Sequence, residues 1–247
     1  MSDSSSSTIV SATELTRVYG EDHPETAVHA LRDVTVGFPS GQFAAIMGPS
    51  GSGKSTLMHL LAGLDKPTSG SVIVDGSELA QLDDKGLTRL RRDRLGFVFQ
   101  AFNLVPVLTA EENIVLPLTL AGKKPDREWL DKLISAVGLG DRLDHRPSEL
   151  SGGQQQRVAV ARALIHHPAV VFADEPTGNL DSHSSDEVLE LLRQAVDEFD
   201  QTVVMVTHDA HAASVADRIV VLNDGQIVHD GGAETTEGVL DLMKAVA

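Results

Sequence analysis

The chain has 247 residues, enough for one large domain or two modest ones, and its 41% apolar and 23% charged residues are typical of a globular protein with a buried core. It has no Cys, which excludes disulfides and Cys-based metal sites, and no run approaches the roughly 18–20 apolar residues of a membrane-spanning helix. The net charge of −16 argues against a general nucleic-acid-binding protein, because contact with phosphates requires a basic face.

The N-terminal part of the chain changes from a polar tail to an extended pattern. We predict that residues 1–7, which are Ser-rich and lack the basic and apolar regions of a secretory signal, are disordered. From Thr8 to Phe38, the spacing of Thr, Val and Ile predicts β-strands, with a polar loop at residues 21–25.

A phosphate-binding motif follows the next strand. Phe43–Met47 is a short apolar run typical of a buried parallel strand, and a helix is predicted from Lys54 to Ala62. The pattern G-x-x-x-x-G-K-[ST] begins directly after this strand and extends into the first turn of the helix. It is formed by Gly48, Pro49, Ser50, Gly51, Ser52, Gly53, Lys54, Ser55 and Thr56. In such a loop the backbone N–H groups surround phosphates, the lysine contacts the β- and γ-phosphates and the serine hydroxyl binds Mg²⁺. The motif predicts a site for a nucleoside triphosphate.

The rest of the chain alternates strands with helices. Apolar and β-branched runs predict strands at Ser71–Val74, Gly96–Phe99, Val170–Ala173, Thr202–Thr207, Ile219–Leu222 and Gln226–Val228, the last two joined by an Asp224-Gly225 hairpin turn. Helical periodicity predicts helices at 126–137, 154–165 and 184–199, and Ser184 with Glu187 has the spacing of a capping box for the last. Residues 101–147 contain no convincing strand, so we predict a helical insertion there.

Acidic and imidazole side chains stand at the ends of two predicted strands. Asp174 and Glu175 follow Val170–Ala173, and His208 follows Thr202–Thr207. Ligands of open α/β sheets bind at the carboxyl ends of strands. We therefore expect Asp174 to help hold Mg²⁺, Glu175 to orient or deprotonate the attacking water, and His208 to contact the γ-phosphate.

A second glycine-containing segment distinguishes this chain from other phosphate-loop proteins. Leu150 to Arg157 reads LSGGQQQR and resembles the signature motif of ATP-binding cassette (ABC) proteins. The ordered set of motifs is similar to the nucleotide-binding domain of that family over about residues 9–228. The resemblance implies an α/β fold with a phosphate-loop NTPase core on a mostly parallel sheet, an N-terminal antiparallel β subdomain and an inserted α-helical subdomain. It implies one such domain over 8–247, with residues 8–100 and about 148–247 as core and about 101–147 as the helical part.

The resemblance also implies roles for single residues. Tyr19 resembles the family's adenine-stacking aromatic residue, and Val28 is expected to line the same pocket. Gln100 matches the Q-loop glutamine, which contacts Mg²⁺ and the γ-phosphate, and Asp181 closes the D-loop sequence 179–181. Asp174, Glu175 and His208 match the Walker B aspartate, the catalytic glutamate and the switch histidine. Ser151, Gly152, Gly153 and Gln154 match the signature residues that bind nucleotide.

The signature segment implies a partner. Ser151 to Gly153 precede a predicted helix, whose N-terminus is a second anion-binding end. In the family, two chains pack head to tail, and each ATP lies between the phosphate loop of one chain and the signature of the other. We expect a homodimer with two equivalent sites.

The expected function is ATP hydrolysis that drives a permease on a separate chain, at the cytoplasmic face of the plasma membrane and without membrane insertion of this chain. The apolar segment 101–109 is the expected docking surface for a permease helix, or else fills the helical subdomain. Phe102-Asn103-Leu104, residues 108–113 and residues 175–181 are similar to the branch that serves lipoprotein release, macrolide export and antimicrobial-peptide resistance, in some members by mechanotransmission.

Two other functions remain open at this point. Some cassette ATPases act without a membrane in DNA repair or translation, but these usually carry a coiled coil, a zinc site or two fused cassettes. A phosphate-loop kinase would transfer the phosphoryl group to a small acceptor instead of water. The charge of −16 disfavours a nucleic-acid partner, and the signature and D-loop disfavour a kinase.

Overall fold

Two β-sheets organise the chain in the computed structural model, which describes residues 8–20 and 24–246. The predicted tail at 1–7 and most of the predicted loop at 21–25 lie outside the described residues. The smaller sheet has the order β2-β1-β4-β5 and the larger one the order β10-β9-β3-β8-β7-β6. The strands are β1 (Thr8–Tyr19), β2 (Val28–Pro39), β3 (Phe43–Met47), β4 (Ser69–Val74), β5 (Ser77–Glu78), β6 (Leu95–Phe99), β7 (Val170–Asp174), β8 (Val203–Val206), β9 (Arg218–Asn223) and β10 (Gln226–Gly232).

Helices cover both faces of the larger sheet. They are α1 (Lys54–Leu61), α2 (Asp84–Arg94), α3 (Ala110–Leu120), α4 (Arg127–Val137), α5 (Gly152–Leu164), α6 (Ser182–Phe199), α7 (Ala210–Ser214) and α8 (Thr236–Val246), with short 3₁₀ turns at Pro24–Thr26, Leu79–Gln81 and Pro147–Glu149. Among the helices that the structure describes, none combines the length and the apolar character that a bilayer crossing requires.

The core is divided by the larger sheet because successive residues of a strand point to opposite faces. In β3, Phe43, Ala45 and Met47 join the cluster that contains the buried residues of α5 and α6, whereas Ala44 and Ile46 join the one that contains those of α1 and the smaller sheet. All five residues of β3 are buried, as expected for a central parallel strand.

The predicted fold class is confirmed. β6, β7, β8, β3 and β9 run parallel, β10 pairs antiparallel with β9, and the N-terminal sheet is antiparallel throughout. The Asp224-Gly225 hairpin is confirmed, with both residues at positive φ. Residues 101–147, all of them described, contain α3 and α4 and no strand. The division into subdomains stays a prediction.

Two predicted helix starts were wrong, each by two residues. The helix predicted at 154–165 begins at Gly152, with Ser151 as its N-cap. The helix at 184–199 begins at Ser182, and its N-cap is Asp181, whose carboxylate accepts the N–H of Ser184 at 3.0 Å. Ser184 lies inside the first turn and donates its own hydroxyl to Asp181, so it does not form the predicted capping box with Glu187. Asp181 is the better cap because an ionised carboxylate accepts hydrogen bonds more strongly than a hydroxyl.

Candidate functional site

Four loops meet at one edge of the larger sheet. β3, β6, β7 and β8 are parallel, so their carboxyl ends lie on the same side. Gly48 follows β3, Gln100 follows β6, Glu175 follows β7, and His208 stands two residues beyond β8. The sheet order places β8 between β3 and β7, which brings the phosphate loop and the acidic residues to neighbouring positions.

The loop from Gly48 to Thr56 has the backbone of an anion cradle. Gly48, Gly51 and Gly53 all have positive φ, a region that glycine adopts without strain. A Cβ at Gly48 would overlap the Leu222 carbonyl and the Ser52 hydroxyl, so the loop is closely packed on β9. The Ser52 hydroxyl oxygen is buried without a hydrogen-bond partner. The remaining predicted residues of the loop, Pro49, Ser50, Ser55 and Thr56, are exposed or half-buried.

The first turn of α1 offers its N–H groups to this cradle. Gly53 caps the helix with no side-chain hydrogen bond, so no side chain competes for the free N–H groups. Lys54 is 9% exposed, and its ammonium donates to the carbonyls of Gly48 at 2.8 Å and Pro49 at 3.0 Å. Burial lowers the pKa of Lys54, while the nearby carboxylates of Glu175 and Asp174 act in the opposite direction. A buried cation and a helix N-terminus thus converge on one loop.

The acidic pair is held at the end of β7. Burial raises the pKa of Asp174, and the charges of His59 and Lys54 oppose this rise. Glu175 has a φ of 47°, and its carboxylate lies 2.8 Å from His208 Nδ1, so the ring N–H donates to it. The structure therefore brings Lys54, Asp174, Glu175 and His208 into one cluster, as the positions of these residues at strand ends predict.

Gln100 lies against the segment that follows Glu175. Its side-chain amide donates to Asn179 Oδ1 at 3.1 Å, and Asn179 Nδ2 donates back to the Gln100 carbonyl at 3.0 Å. A Cβ at Gly178 would meet the Gln100 amide, so the glycine leaves room for it. Gln100 is exposed at the same sheet edge as the cluster.

The signature residues form the start of α5. Ser151 is the N-cap, its hydroxyl accepts the Gln154 N–H at 3.3 Å, and Gln154 Oε1 accepts the Ser151 N–H at 2.8 Å. Gly152 approaches Phe102 and Leu180, and a Cβ at Gly153 would overlap Ser184. The N-terminus of α5 therefore packs on the start of α6 beside Asp181, with Ser151 exposed.

The two residues predicted to contact adenine lie on the smaller sheet. Tyr19 and Val28 pair across β1 and β2 and are 39% and 59% exposed. The Tyr19 hydroxyl donates to Asp65 at 2.9 Å, and the Arg17 guanidinium lies 4.4 Å from the centre of its ring. The geometry fixes the ring, and its exposed area is available for stacking.

Gln156 was not among the residues predicted for this site. This residue of α5 is fully buried, and its amide donates to the carbonyls of Phe99 and Pro176, next to Gln100 and Glu175. A signal was present, because Gln156, Val160 and Ala163 are spaced i, i+4, i+7 and so share one face of the helix. Its burial was not predicted because it lies in a run of three glutamines, and Gln is usually exposed.

Comparison with known proteins identifies the family. The family model described as ABC transporter matches residues 31–178. The chain belongs to the ABC transporter family. The macrolide export ATP-binding/permease protein MacB of Marinobacter nauticus is 47% identical over 228 residues, which are 92% of this chain and 35% of that protein.

Two further comparisons cover nearly whole ABC proteins. The ABC transporter ATP-binding protein MJ0796 of Methanocaldococcus jannaschii is 47% identical over 210 residues, 82% of this chain and 89% of the relative. A solved structure described as a dimeric post-hydrolysis state of the ATP-binding cassette MJ0796 with ADP and Pi matches with a TM-score of 0.81 and 41% identity, covering 91% of this chain and 99% of that one.

The family match and the nucleotide-bound relative show that this chain is an ABC ATP-binding domain with ATPase activity. The chain spans about a third of the length of the first curated relatives it matches, such as the 35% of MacB from Marinobacter nauticus. The fold and the ATPase activity are therefore those of the ABC family.

Proposed function

We propose that the chain is the ATP-hydrolysing subunit of an ABC exporter, that two copies pair head to tail around two ATP molecules, and that the pair drives a permease on a separate chain. The observation that carries the proposal is the cluster of Lys54, Asp174, Glu175 and His208 at the carboxyl edge of the larger sheet. The cluster combines a phosphate-binding cation, a metal-binding carboxylate and a base in one place.

The chain's own residues account for phosphate binding and for the hydrolytic step. The glycine-rich loop and Lys54 bind the β- and γ-phosphates, which replace the Gly48 and Pro49 carbonyls as partners of the ammonium. Glu175 accepts a proton from a water whose oxygen attacks the γ-phosphorus, the bond to the β-phosphate oxygen breaks, and ADP and phosphate are formed. His208 holds the carboxylate of Glu175 in place through its hydrogen bond at 2.8 Å.

The residues present fit Mg²⁺. The hydroxyl of Ser55, the carboxylate of Asp174 and the amide oxygen of Gln100 are the oxygen ligands that this ion prefers. Burial and the charge of neighbouring Glu175 raise the pKa of Asp174, and a bound cation would offset both effects. When bound, Mg²⁺ neutralises charge on the β- and γ-phosphates. In the same proposal Tyr19 stacks on adenine and Val28 lines its pocket.

The exposed N-terminus of α5 supports the proposed dimer. Ser151 is exposed at the N-terminus of α5, and its capping box with Gln154 orders that turn. We assign Ser151, Gly152, Gly153, Gln154 and Asp181 to the nucleotide held by the phosphate loop of a second copy. The dimeric MJ0796 structure, of which this chain covers 99%, supports this arrangement.

An apolar groove is assigned to a cytoplasmic helix of the permease. Its volume is about 420 Å³, and its apolar lining residues are Leu95, Phe97, Phe99, Leu116, Pro117, Leu120 and Ala163. Of the segment 101–109 that the sequence suggested as the docking surface, only Asn103 lines this groove. Arg162 fixes the neighbouring segment by donating to the carbonyls of Phe102 and Asn103. Since Phe99 lines the groove and precedes Gln100, a helix seated there contacts the chain next to the nucleotide site.

The export branch and the location rest on the relatives. The names of the MacB relatives describe both an ATP-binding part and a permease for macrolide export. This chain covers about a third of these proteins, such as 35% of the one from Marinobacter nauticus. We infer that the permease of this chain belongs to the same branch and that the subunit binds it at the cytoplasmic face of the plasma membrane. The cargo class that the relatives favour is a compound exported from the cell.

The Glu175→Gln variant tests the assignment of the base. We expect it to bind ATP with little change, because Lys54 and the loop remain, and to lose at least about 10²-fold of steady-state ATPase activity, because a neutral amide accepts no proton. ATP then stays bound, so light scattering should detect a stable dimer in the presence of ATP and Mg²⁺.

A matched control separates this effect from the loss of a charge. Glu190 is an exposed residue of α6, and Glu190→Gln makes the same chemical change outside the cluster, so its ATPase activity should equal that of the unmodified chain. Normal turnover in Glu175→Gln would refute the role of Glu175 as base. Loss of turnover without formation of a dimer would support Glu175 as the base and would reject the proposed head-to-tail dimer.

A further inference from the structure

The buried side chain of Gln156 joins three elements of the ABC core. It lies on α5, and its amide nitrogen is 3.2 Å from the Phe99 carbonyl, at the end of β6, and 2.5 Å from the Pro176 carbonyl, in the loop after β7. The side chain is completely buried, and its bond to the Pro176 carbonyl is shielded from water. One NH₂ group thereby ties the carboxyl ends of two strands to the signature helix.

The group that Gln156 binds stands next to the base. Glu175 adopts a left-handed conformation with a φ of 47°, which a non-glycine residue keeps only when its surroundings hold it. Its N–H donates to Val206 and its carbonyl accepts the N–H of Gly178, so its own backbone is held on both sides. Pro176 has no N–H, so its carbonyl is the backbone group through which it forms a hydrogen bond, here with the Gln156 amide.

The same two loops are joined a second time on the exposed side. Gln100 and Asn179 exchange amide hydrogen bonds at 3.1 Å and 3.0 Å. Those bonds are open to water and therefore weaker constraints than the buried one. The two loops are therefore connected twice, by the buried amide of Gln156 and by the exposed pair of Gln100 and Asn179.

We propose that Gln156 is a positioning residue for Glu175: its amide donates to Pro176 and Phe99 and so holds the carboxylate of the base in its working position. The inference rests on the proposed role of Glu175 as base. Gln156 lies on α5, the helix that Ser151 caps, so its amide connects that helix to the residue that follows Glu175.

The test compares two buried glutamines in the complete chain. Gln156→Met keeps a side chain of similar length and removes both hydrogen bonds. Gln201→Met is the matched control, because Gln201 is 7% exposed, its amide donates to the Phe199 carbonyl, and it follows the C-terminus of α6, whereas the site residue Asp181 caps the N-terminus. Both variants should lower the melting temperature by a few degrees, since each loses a buried hydrogen bond.

The expected difference is in turnover. Gln156→Met should lose about 10- to 100-fold in kcat with KM for ATP within about twofold, because misplacing the base affects the chemical step and leaves the phosphate loop intact. Gln201→Met should keep the kcat of the unmodified chain. An equal kcat in the two variants, or a change in KM alone, would overturn the proposal.

A double variant shows whether Gln156 acts through the base. If it does, Gln156→Met combined with Glu175→Gln should be no slower than Glu175→Gln alone, because the loss of one makes the other irrelevant. Additive losses would overturn the inference and leave the base assignment standing. Normal turnover in Glu175→Gln would reject both, so the two failures are distinguishable.

Discussion

At Gly48 the phosphate loop passes so close to β9 that the backbone leaves no space for a side chain. The residue has a φ of 147°, and a Cβ would overlap the Leu222 carbonyl. Gly51 also has positive φ, but nothing lies within 4 Å of the position of its Cβ. Two glycines of one motif thus serve different purposes, close packing at Gly48 and backbone conformation at Gly51.

This difference predicts unequal effects of adding one methyl group. Gly51→Ala should cost about 1–2 kcal/mol of stability, the penalty of a side chain at positive φ. Gly48→Ala should cost about 3–5 kcal/mol, because overlap with the backbone adds to that penalty, and it should also weaken ATP binding. Urea unfolding and calorimetric titration with ATP measure the two effects. Equal losses would contradict the packing argument.

At the scale of elements, helix caps position the functional residues. Ser151 caps α5, Thr109 caps α3, Asp126 caps α4 and Asp181 caps α6. Since Ser151 and Asp181 are also assigned to nucleotide binding, the hydrogen bonds that begin these two helices hold the functional groups in place. Asp126 and Thr109 are not among the residues assigned to the nucleotide.

Asp181→Ala should therefore lower both stability and activity, whereas Asp126→Ala should lower stability alone. The hydrogen bond from the Ser184 N–H holds the pKa of Asp181 below its ordinary value of 3.8. The contribution of its carboxylate to stability is fully present above pH 3.8 and is lost as the pH falls below that value through the folded-state pKa.

Thermal unfolding and ATPase assays measure this prediction. The difference in melting temperature between Asp181→Ala and the unmodified chain should be constant above pH 3.8 and should narrow in more acidic buffer. A difference that grows as the pH falls would show that the carboxylate is not the cap. Unchanged ATPase activity in Asp181→Ala would remove this residue from the nucleotide site.

At the scale of the whole molecule, each copy contains two different segments that we assign to anion binding. One is the loop from Gly48 to Thr56 at the end of β3, and the other is the exposed N-terminus of α5 at Ser151. The ABC domain buries its core within a single copy, so the proposed second copy is needed for catalysis rather than for folding.

Mixing two inactive variants tests this proposal. Lys54→Ala chains keep Ser151, and Ser151→Arg chains keep Lys54, so a mixed dimer contains one intact composite site and one doubly altered site. With equal amounts, half of the dimers are mixed, and about one quarter of the normal ATPase activity should return if the sites act independently. Each variant alone is the control.

Dilution of the unmodified chain gives an independent measurement. Specific activity should fall as the chains dissociate, with light scattering reporting the fraction of dimers. Constant specific activity in samples that scatter as monomers would contradict the composite site.

The sequence by itself determined the identity and order of the motifs, because the phosphate loop and the signature consist of residues that are close in the chain. It also predicted most strands, of which β3, β7, β8 and β9 have continuous buried apolar runs. It did not predict α2, whose Leu90 is its one buried residue, or α3, whose helical pattern is obscured by Pro117.

Only the tertiary structure decided which distant residues meet. The order of the strands in the larger sheet pairs Glu175 with His208 and Gln100 with Asn179, and packing of α5 buries the amide of Gln156 between Phe99 and Pro176. Such contacts depend on how whole elements stack around the core, and local patterns of sequence carry little information about that.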